Sequence, residues 1–323
     1  MAERWRQIAG PVGLLEPGKR NAITDVPGVR VGQSQAGSGQ ATGVTVVEPP
    51  SLPAPAGTAT VNGMGELTGK IEIDERGTME TPVYLCGSHA VGAVHRAAVI
   101  ASGRGPEHIV LPVVGECDDG WMADSRTVTA DDVERALAAL GREVDEGTVG
   151  AGTGMSTFEY PGGIGTASRR VGEHHVGVLA LCNFGERERL DLMGARLDPA
   201  TYRGTTGGSC ITVCATDAPL SSLQLRRLAL RPLLGLARAG SYGSDGSGEI
   251  GLAFSTVSGG GIANSEIDPY FAAAWESAHE AVMNCLVAGR PGKRLDGSVQ
   301  DAFPVELVRE LAGSRAEESP LRP

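Results

Sequence analysis

The chain has 323 residues, enough to bury a large core in one big domain or two modest ones. Glycine is abundant at 47 residues and aromatic residues make up only 4%, so the core has to be built mainly from aliphatic side chains. The excess of 39 acidic over 28 basic residues gives a formal charge of −11, which argues against a nucleic-acid-binding surface.

The first half of the chain alternates short β-like runs with turns and then becomes more helical. A strand is predicted over 43–47, and the apolar spacing over 87–102 predicts an amphipathic helix. A strand over 108–114 is expected next. Thr129 and Asp132 then form the pattern of a capping box that opens another helix.

The second half has predicted strands over 175–182, 211–215 and 250–257, with helices over 222–239 and 268–288. Pro232 is expected to kink the first of these helices. The tail over 314–323 is polar and is expected to be disordered. Because strands and helices are interspersed and no linker is evident, residues 1–323 are interpreted as one mixed α/β domain.

Several kinds of site and location are disfavoured. No signal peptide or membrane-length apolar run is present and the six cysteines lack CxxC spacing, so a cytoplasmic protein without membrane contact is expected. His174 and His175 are adjacent and would point to opposite faces of a strand. Gly150–Gly154 lacks the glycine spacing of a dinucleotide site. We therefore expect no metal and no cofactor.

The most informative segment is 204–220, in which Gly207-Gly208 leads directly into Ser209 and a buried β-run. Glycine at 208 permits a strained backbone and presents an unhindered carbonyl to the Ser209 hydroxyl. Attack there gives an ester, which water resolves to leave Ser209 with a free α-amine of ordinary pKa, roughly 7.7–8.0. Such an amine can act as the base for its own hydroxyl. Taken alone, however, Gly-Gly-Ser before a strand is more often an ordinary loop.

Four other motifs accompany this segment, namely Ile23–Val31, Gly150–Met155, Gly163–Ser168 and Gly246–Glu249. Together with Gly-Ser before a β-run that ends Ala-Thr-Asp-Ala-Pro-Leu, they resemble the L-aminopeptidase/D-esterase family, which includes the β-peptidyl aminopeptidases. The matches extend from about residue 20 to about residue 290. The resemblance implies an α/β fold, an αββα sandwich of the N-terminal-nucleophile type, related to ornithine acetyltransferase. It also implies self-cleavage into an α fragment, 1–208, and a β fragment, 209–323.

The resemblance implies a role for each matching residue. Ser209 matches the nucleophile, while Ser247 and Glu249 match a serine and a carboxylate that orient and polarise it. Asn183 matches an amide that stabilises the oxyanion, and Glu116 matches a carboxylate that holds the substrate α-ammonium. From the residues alone, Gly246–Glu249 is compatible with a turn, Asn183 with a strand-end residue and Glu116 with a solvated loop side chain.

The implied reaction is release of N-terminal residues from small peptides, amino-acid amides or esters, by an oligomer of α/β pairs. Three positions depart from the family pattern: Asp118 stands where some members carry an aromatic residue, Met64 where a polar residue is expected, and Cys210 where an aliphatic one is usual. Two other functions stay open on this scaffold. One is acyl transfer of the ornithine acetyltransferase type, and the other is non-catalytic binding.

Overall fold

The structure is a computed structural model that describes residues 3–198 and 208–318. Its helices are α1 (Trp5–Ala9), α2 (Lys70–Arg76), α3 (Val91–Ala101), α4 (Ala130–Ala138), α5 (Ser222–Ala239), α6 (Asp268–Ala288) and α7 (Val305–Glu318). Its strands are β1 (Arg30–Gln35), β2 (Gly43–Glu48), β3 (Ala54–Gly63), β4 (Thr78–Met79), β5 (Val83–Gly87), β6 (Val113–Cys117), β7 (Ser156–Thr157), β8 (Tyr160–Pro161), β9 (Ile164–Val171), β10 (His174–Asn183), β11 (Gly208–Thr216) and β12 (Ser247–Ser255).

The longer strands form two sheets. The first has the order β1-β2-β5-β6 and the second the order β4-β3-β12-β11-β10-β9, while β7 and β8 pair with each other. In the second sheet β11 runs antiparallel to β10 and parallel to β12. A parallel pair needs a long crossover connection, and α5 lies within the one between β11 and β12.

The two sheets pack face to face and are covered by helices on both outer sides. Aliphatic side chains fill the space between the sheets, such as Leu85 and Val113 from the first and Ile211 and Ile250 from the second. Helices α3 and α4 cover the outer face of the first sheet, and α5 and α6 cover that of the second. The αββα architecture expected from the sequence is therefore confirmed.

Local signals in the sequence locate the long helices well. Helices α5 and α6 occupy the predicted ranges, because Ser221 caps the first by accepting the backbone N–H of Gln224 and Pro269 lies in the first turn of the second. The strand predicted over 108–114 begins only at Val113, where its partner β5 becomes available through the pair Val83↔Val113.

The C-terminal tail differs in part from the expectation. Residues 314–318 belong to α7, because this helix buries Val308 in the cluster that also contains Trp5 and Phe303. An ion pair between Arg309 and Glu3 fastens α7 to the beginning of the chain. Residues 319–323 of the predicted tail lie outside the described residues.

A buried ionic network attaches the N-terminal segment to the second sheet and to α6. The fully buried Arg169 of β9 contacts Glu276 through Nε at 2.9 Å and Glu280 through Nη2 at 2.7 Å. Its Nη2 also donates to the Val12 carbonyl. Although burial alone raises the pKa of Glu280, the Arg169 guanidinium beside it holds that pKa below its ordinary value.

We expect Arg169→Ala to lower the free energy of unfolding by about 3–5 kcal/mol, because it leaves the buried Glu276 without its cation and Glu280 with Arg6 alone. Urea denaturation followed by circular dichroism measures this loss. The matched control is Arg170→Ala, which removes an exposed arginine from the same strand and is expected to change stability by less than about 0.5 kcal/mol. Equal losses for the two variants would contradict the proposed importance of the network.

Candidate active site

The register of three neighbouring strands brings the predicted site residues to one end of the second sheet. Asn183 ends β10 and is the direct Cα partner of Ser209 near the start of β11. On the other side, Gly208 is the partner of Ser247 and Ser209 is the partner of Gly248, both in β12. Residues far apart in the sequence thus lie side by side at this sheet end.

A cavity of about 540 Å³ opens at this end of the sheet. The residues that line it include Glu116, Asn183, Gly208, Ser209 and Ser247 but not Glu249. Several other lining residues come from distant segments, and no motif in the sequence indicates a role for them in the site: Ser88, Trp121, Met122, Glu159, Phe184, Tyr242, Arg294 and Gln300.

The Ser209 side chain is buried, with only 4% of its surface exposed. Among the described residues its Oγ has no hydrogen-bond partner, although the Cys117 thiol lies close to it. Side chains alternate along a strand, so Ser209 shares the face of Ile211, which points toward the first sheet. A buried hydroxyl normally has a hydrogen-bond partner. The Ser209 hydroxyl is therefore a buried polar group at the cavity wall that a bound ligand can contact.

Ser247 and Glu249 interact with each other directly. The Ser247 hydroxyl donates to Glu249 Oε1, and Glu249 Oε2 is buried with no hydrogen-bond partner in the part of the chain that the structure describes. Burial raises the pKa of Glu249, and the hydrogen bond from Ser247 opposes that effect. By strand alternation this pair lies on the opposite face of the sheet from the Ser209 side chain, and no hydrogen bond joins it to the Ser209 hydroxyl.

The orientation of the Asn183 amide is set by two hydrogen bonds. Its Oδ1 accepts the backbone N–H of Ser156 at 2.9 Å, and its Nδ2 donates to the carbonyl of Asp118 at 2.8 Å. An amide nitrogen carries two hydrogens, so one N–H is left to face the cavity. Asn183 can therefore donate to an oxygen atom that lies beside Ser209.

Glu116 lies near the end of β6, the strand of the first sheet that packs against β11. Its carboxylate accepts the backbone N–H of Glu66 at 2.8 Å and the hydroxyl of Ser88. Burial raises the pKa of Glu116; these two hydrogen bonds lower it, and the nearby negative charges of Asp118 and Glu66 raise it further. Among the described residues no cation pairs with Glu116, so a cationic ligand can supply the missing charge.

Cysteine thiols do not compete with Ser209 as nucleophiles. All six cysteines are free and buried, and burial raises the pKa of the Cys117 and Cys182 thiols, which disfavours the reactive thiolate. Cys210 points to the helix-covered face of the sheet, away from the cavity. Within residues 3–198 and 208–318 there is also no group of three or more His, Cys, Asp or Glu side chains that could hold a metal ion.

Comparison with known proteins identifies the family of this fold and site. Residues 21–300 match peptidase family S58. The chain is 39% identical to the β-peptidyl aminopeptidase BapA of Sphingosinicella microcystinivorans, over 92% of this chain and 88% of the relative.

Two solved structures are also similar. A β-aminopeptidase from a Burkholderia species superposes with a TM-score of 0.87 at 36% identity, covering 99% of this chain and all of the other. The L-aminopeptidase D-Ala-esterase/amidase of Ochrobactrum anthropi, described as a prototype of the serine aminopeptidases and a variant of the Ntn hydrolase fold, gives a TM-score of 0.84 at 32% identity. It covers 97% of this chain and 99% of that one.

The fold and the site thus define a hydrolase that acts on peptide bonds, in the class of the serine aminopeptidases and amidases. The chain belongs to peptidase family S58.

Proposed function

We propose that this aminopeptidase or amidase matures by cutting its own chain between Gly208 and Ser209 and then uses Ser209 as its nucleophile. The observation that carries the proposal is the Ser209 hydroxyl, which is buried at the cavity beside Asn183 and has no hydrogen-bond partner within residues 3–198 and 208–318. The cut yields an α fragment of residues 1–208 and a β fragment of residues 209–323. Gly207 and the residues before it, from 199, lie outside the described residues.

The surroundings of Gly208 leave little room for a side chain. A Cβ at this position would approach the Asn183 carbonyl at 3.0 Å and Phe184 Cα at 3.1 Å, so a larger residue would have to shift this backbone by a few tenths of an ångström. In the proposed step Ser209 Oγ bonds to the Gly208 carbonyl carbon and the Gly208–Ser209 C–N bond breaks. The hydroxyl proton passes to the departing nitrogen, and water then hydrolyses the ester.

Turnover repeats this chemistry on an external substrate. The substrate α-ammonium binds Glu116, and Ser209 Oγ attacks the carbonyl of the N-terminal residue. Asn183 donates its remaining N–H to the oxyanion, a contact whose loss typically costs about 3–4 kcal/mol. The leaving amine takes a proton and departs, and water hydrolyses the acyl-enzyme. The relatives are aminopeptidases, which favours hydrolysis over acyl transfer.

The Ser247–Glu249 pair is proposed to act on the new α-amine. Gly208 is the register partner of Ser247, so cleavage releases the Ser209 amine next to the Ser247 hydroxyl. An α-amine ordinarily has a pKa of roughly 8, so its neutral form can accept the Ser209 hydroxyl proton. The carboxylate of Glu249, reached through Ser247, stabilises the ammonium that results.

Ser209→Ala is expected to abolish both processing and turnover, because one oxygen atom performs both attacks. Intact-mass analysis should show a single uncut chain for the variant and two fragments for the unaltered protein, the smaller beginning at Ser209. Ser258→Ala, which changes an exposed loop serine, is the matched control and should be cut normally. A Ser209→Ala chain that is still cut at this bond would refute the proposal.

Glu249→Gln is expected to lower kcat by about 10²–10⁴-fold, since the amide keeps the shape of the carboxylate but not its charge. Burial raises the pKa of Glu249, so this carboxylate becomes protonated at a higher pH than an ordinary glutamate does. In the unaltered enzyme kcat should therefore begin to fall at that higher pH as the solution is made more acidic. The pH profile of kcat on fully processed enzyme measures both effects. An unchanged kcat with an unchanged acid limb would rule out this role.

Glu116→Gln is expected to raise KM for substrates with a free α-ammonium. Because the pKa of Glu116 is raised, the unaltered enzyme should lose affinity as the pH falls through that raised value and the carboxylate becomes neutral. The variant should show a higher KM that lacks this acid-side dependence. If its KM keeps the same pH profile as the unaltered enzyme, Glu116 does not hold the ammonium.

Self-association and location are further parts of the proposal. Ile71 and Ile109 are exposed apolar side chains. Gly69, two residues before Ile71, lies near the backbone of Leu111, two residues after Ile109. The two isoleucines therefore border one surface region that can be buried between copies. Sedimentation velocity tests this, and a purely monomeric processed enzyme would contradict it.

The six free cysteines suit a reducing cytoplasm, which fractionation of the native cells can check. No described helix is long and apolar enough to cross a membrane.

A further inference from the structure

The cavity beside Ser209 carries more negative charge than one α-ammonium can neutralise. Four carboxylates line it, and the basic side chains among its described lining residues are His89 and Arg294. The Arg294 guanidinium donates to Ser298 Oγ and to the Val299 carbonyl of its own loop. The lining carboxylates are those of Glu116, Asp118, Glu159 and Glu186.

These carboxylates differ in their partners. Glu186 is paired with the Arg189 guanidinium at 2.7 Å and accepts the Tyr242 hydroxyl at 3.3 Å. Glu159 accepts the backbone N–H of Arg187. Asp118 accepts only the backbone N–H of Gly120 at 2.9 Å, and within the described residues no cation pairs with it.

The backbone of Asp118 lies beside the reacting centre, and its carboxylate lines the same cavity. Its backbone carbonyl accepts the hydrogen bond from Asn183 Nδ2 at 2.8 Å, and Asn183 is the register partner of Ser209. Asp118 also follows Glu116 by two residues at the end of the same strand. Both carboxylates line the cavity, and the negative charge of Asp118 is near enough to Glu116 to raise its pKa, so Asp118 is available to a second cation of a substrate whose α-ammonium binds Glu116.

We propose that Asp118 makes this enzyme prefer N-terminal residues with a second positive charge in the side chain, such as lysine or ornithine. This inference rests on the proposed function of Ser209 and Glu116. That the cavity receives a ligand is indicated independently by the buried, unpartnered Ser209 hydroxyl in its wall. Glu116 takes the α-ammonium and Asp118 the side-chain cation. Trp121 and Met122 in the same wall offer apolar surface to the methylene stem.

The test compares kcat/KM for lysine p-nitroanilide and norleucine p-nitroanilide, which have the same chain length and differ in the side-chain ammonium. We expect the unaltered enzyme to favour lysine by about two- to fivefold, the range typical of an exposed charge pair. Asp118→Asn should reduce this ratio toward one, and Asp118→Glu should keep most of it. Added salt should also lower the ratio, because Asp118 is exposed.

Two control variants separate this inference from other effects. Asp131→Asn removes an exposed carboxylate from α4, outside the cavity, and should leave the ratio unchanged. Glu116→Gln should weaken both substrates alike, because both carry the α-ammonium. An unaltered enzyme that cleaves both substrates equally well, or a ratio that survives Asp118→Asn, would overturn the inference and leave the aminopeptidase proposal standing. Processed enzyme that cleaves neither substrate would overturn this inference, and if it cleaves no other aminoacyl amide or ester it would also overturn the role of Ser209 in turnover.

Discussion

Asn183, Ser209 and Gly248 lie side by side because β10, β11 and β12 keep one register at the end of the second sheet. A shift of one residue in this register would turn every side chain of a strand to the other face of the sheet. The buried aliphatic residues farther along β11 and β12 prevent such a shift, since it would move Ile211 and Ile250 out of the inter-sheet core. Packing of the core thus determines the geometry of the cavity wall.

The two main carboxylates of the site are both in surroundings that oppose their ionisation. Burial raises the pKa of Glu116 and of Glu249, and in each case hydroxyl or backbone N–H donors lower it again. Such sites favour a cationic partner, because it restores the charge balance that burial removed. This requirement connects the fold to the proposed preference for substrates with a free α-ammonium.

Local patterns made the long helices and the central strands predictable. A serine cap and an Asp-Pro start located α5 and α6, and continuous apolar runs located β10, β11 and β12. Strand β3 was not predicted, although it occupies ten residues, because Pro53 and Pro55 lie at its beginning and proline is unfavourable within a strand. The strand is held in the sheet by its antiparallel pairing with β12, which the local sequence does not reveal.

The sequence by itself determined the order of the motifs, the candidate nucleophile Ser209 and the residues that resemble the site of this family, since these depend on residue types and on short spacings. Tertiary structure alone decided which charges share the cavity. Asp118, Glu186 and Arg294 come from separate loops, and only the packing of β6 against β11 and the hydrogen bond between Asn183 and Asp118 bring Asp118 to the reacting centre. Local sequence carries no record of such long-range contacts, because each is formed by the packing of segments far apart in the chain.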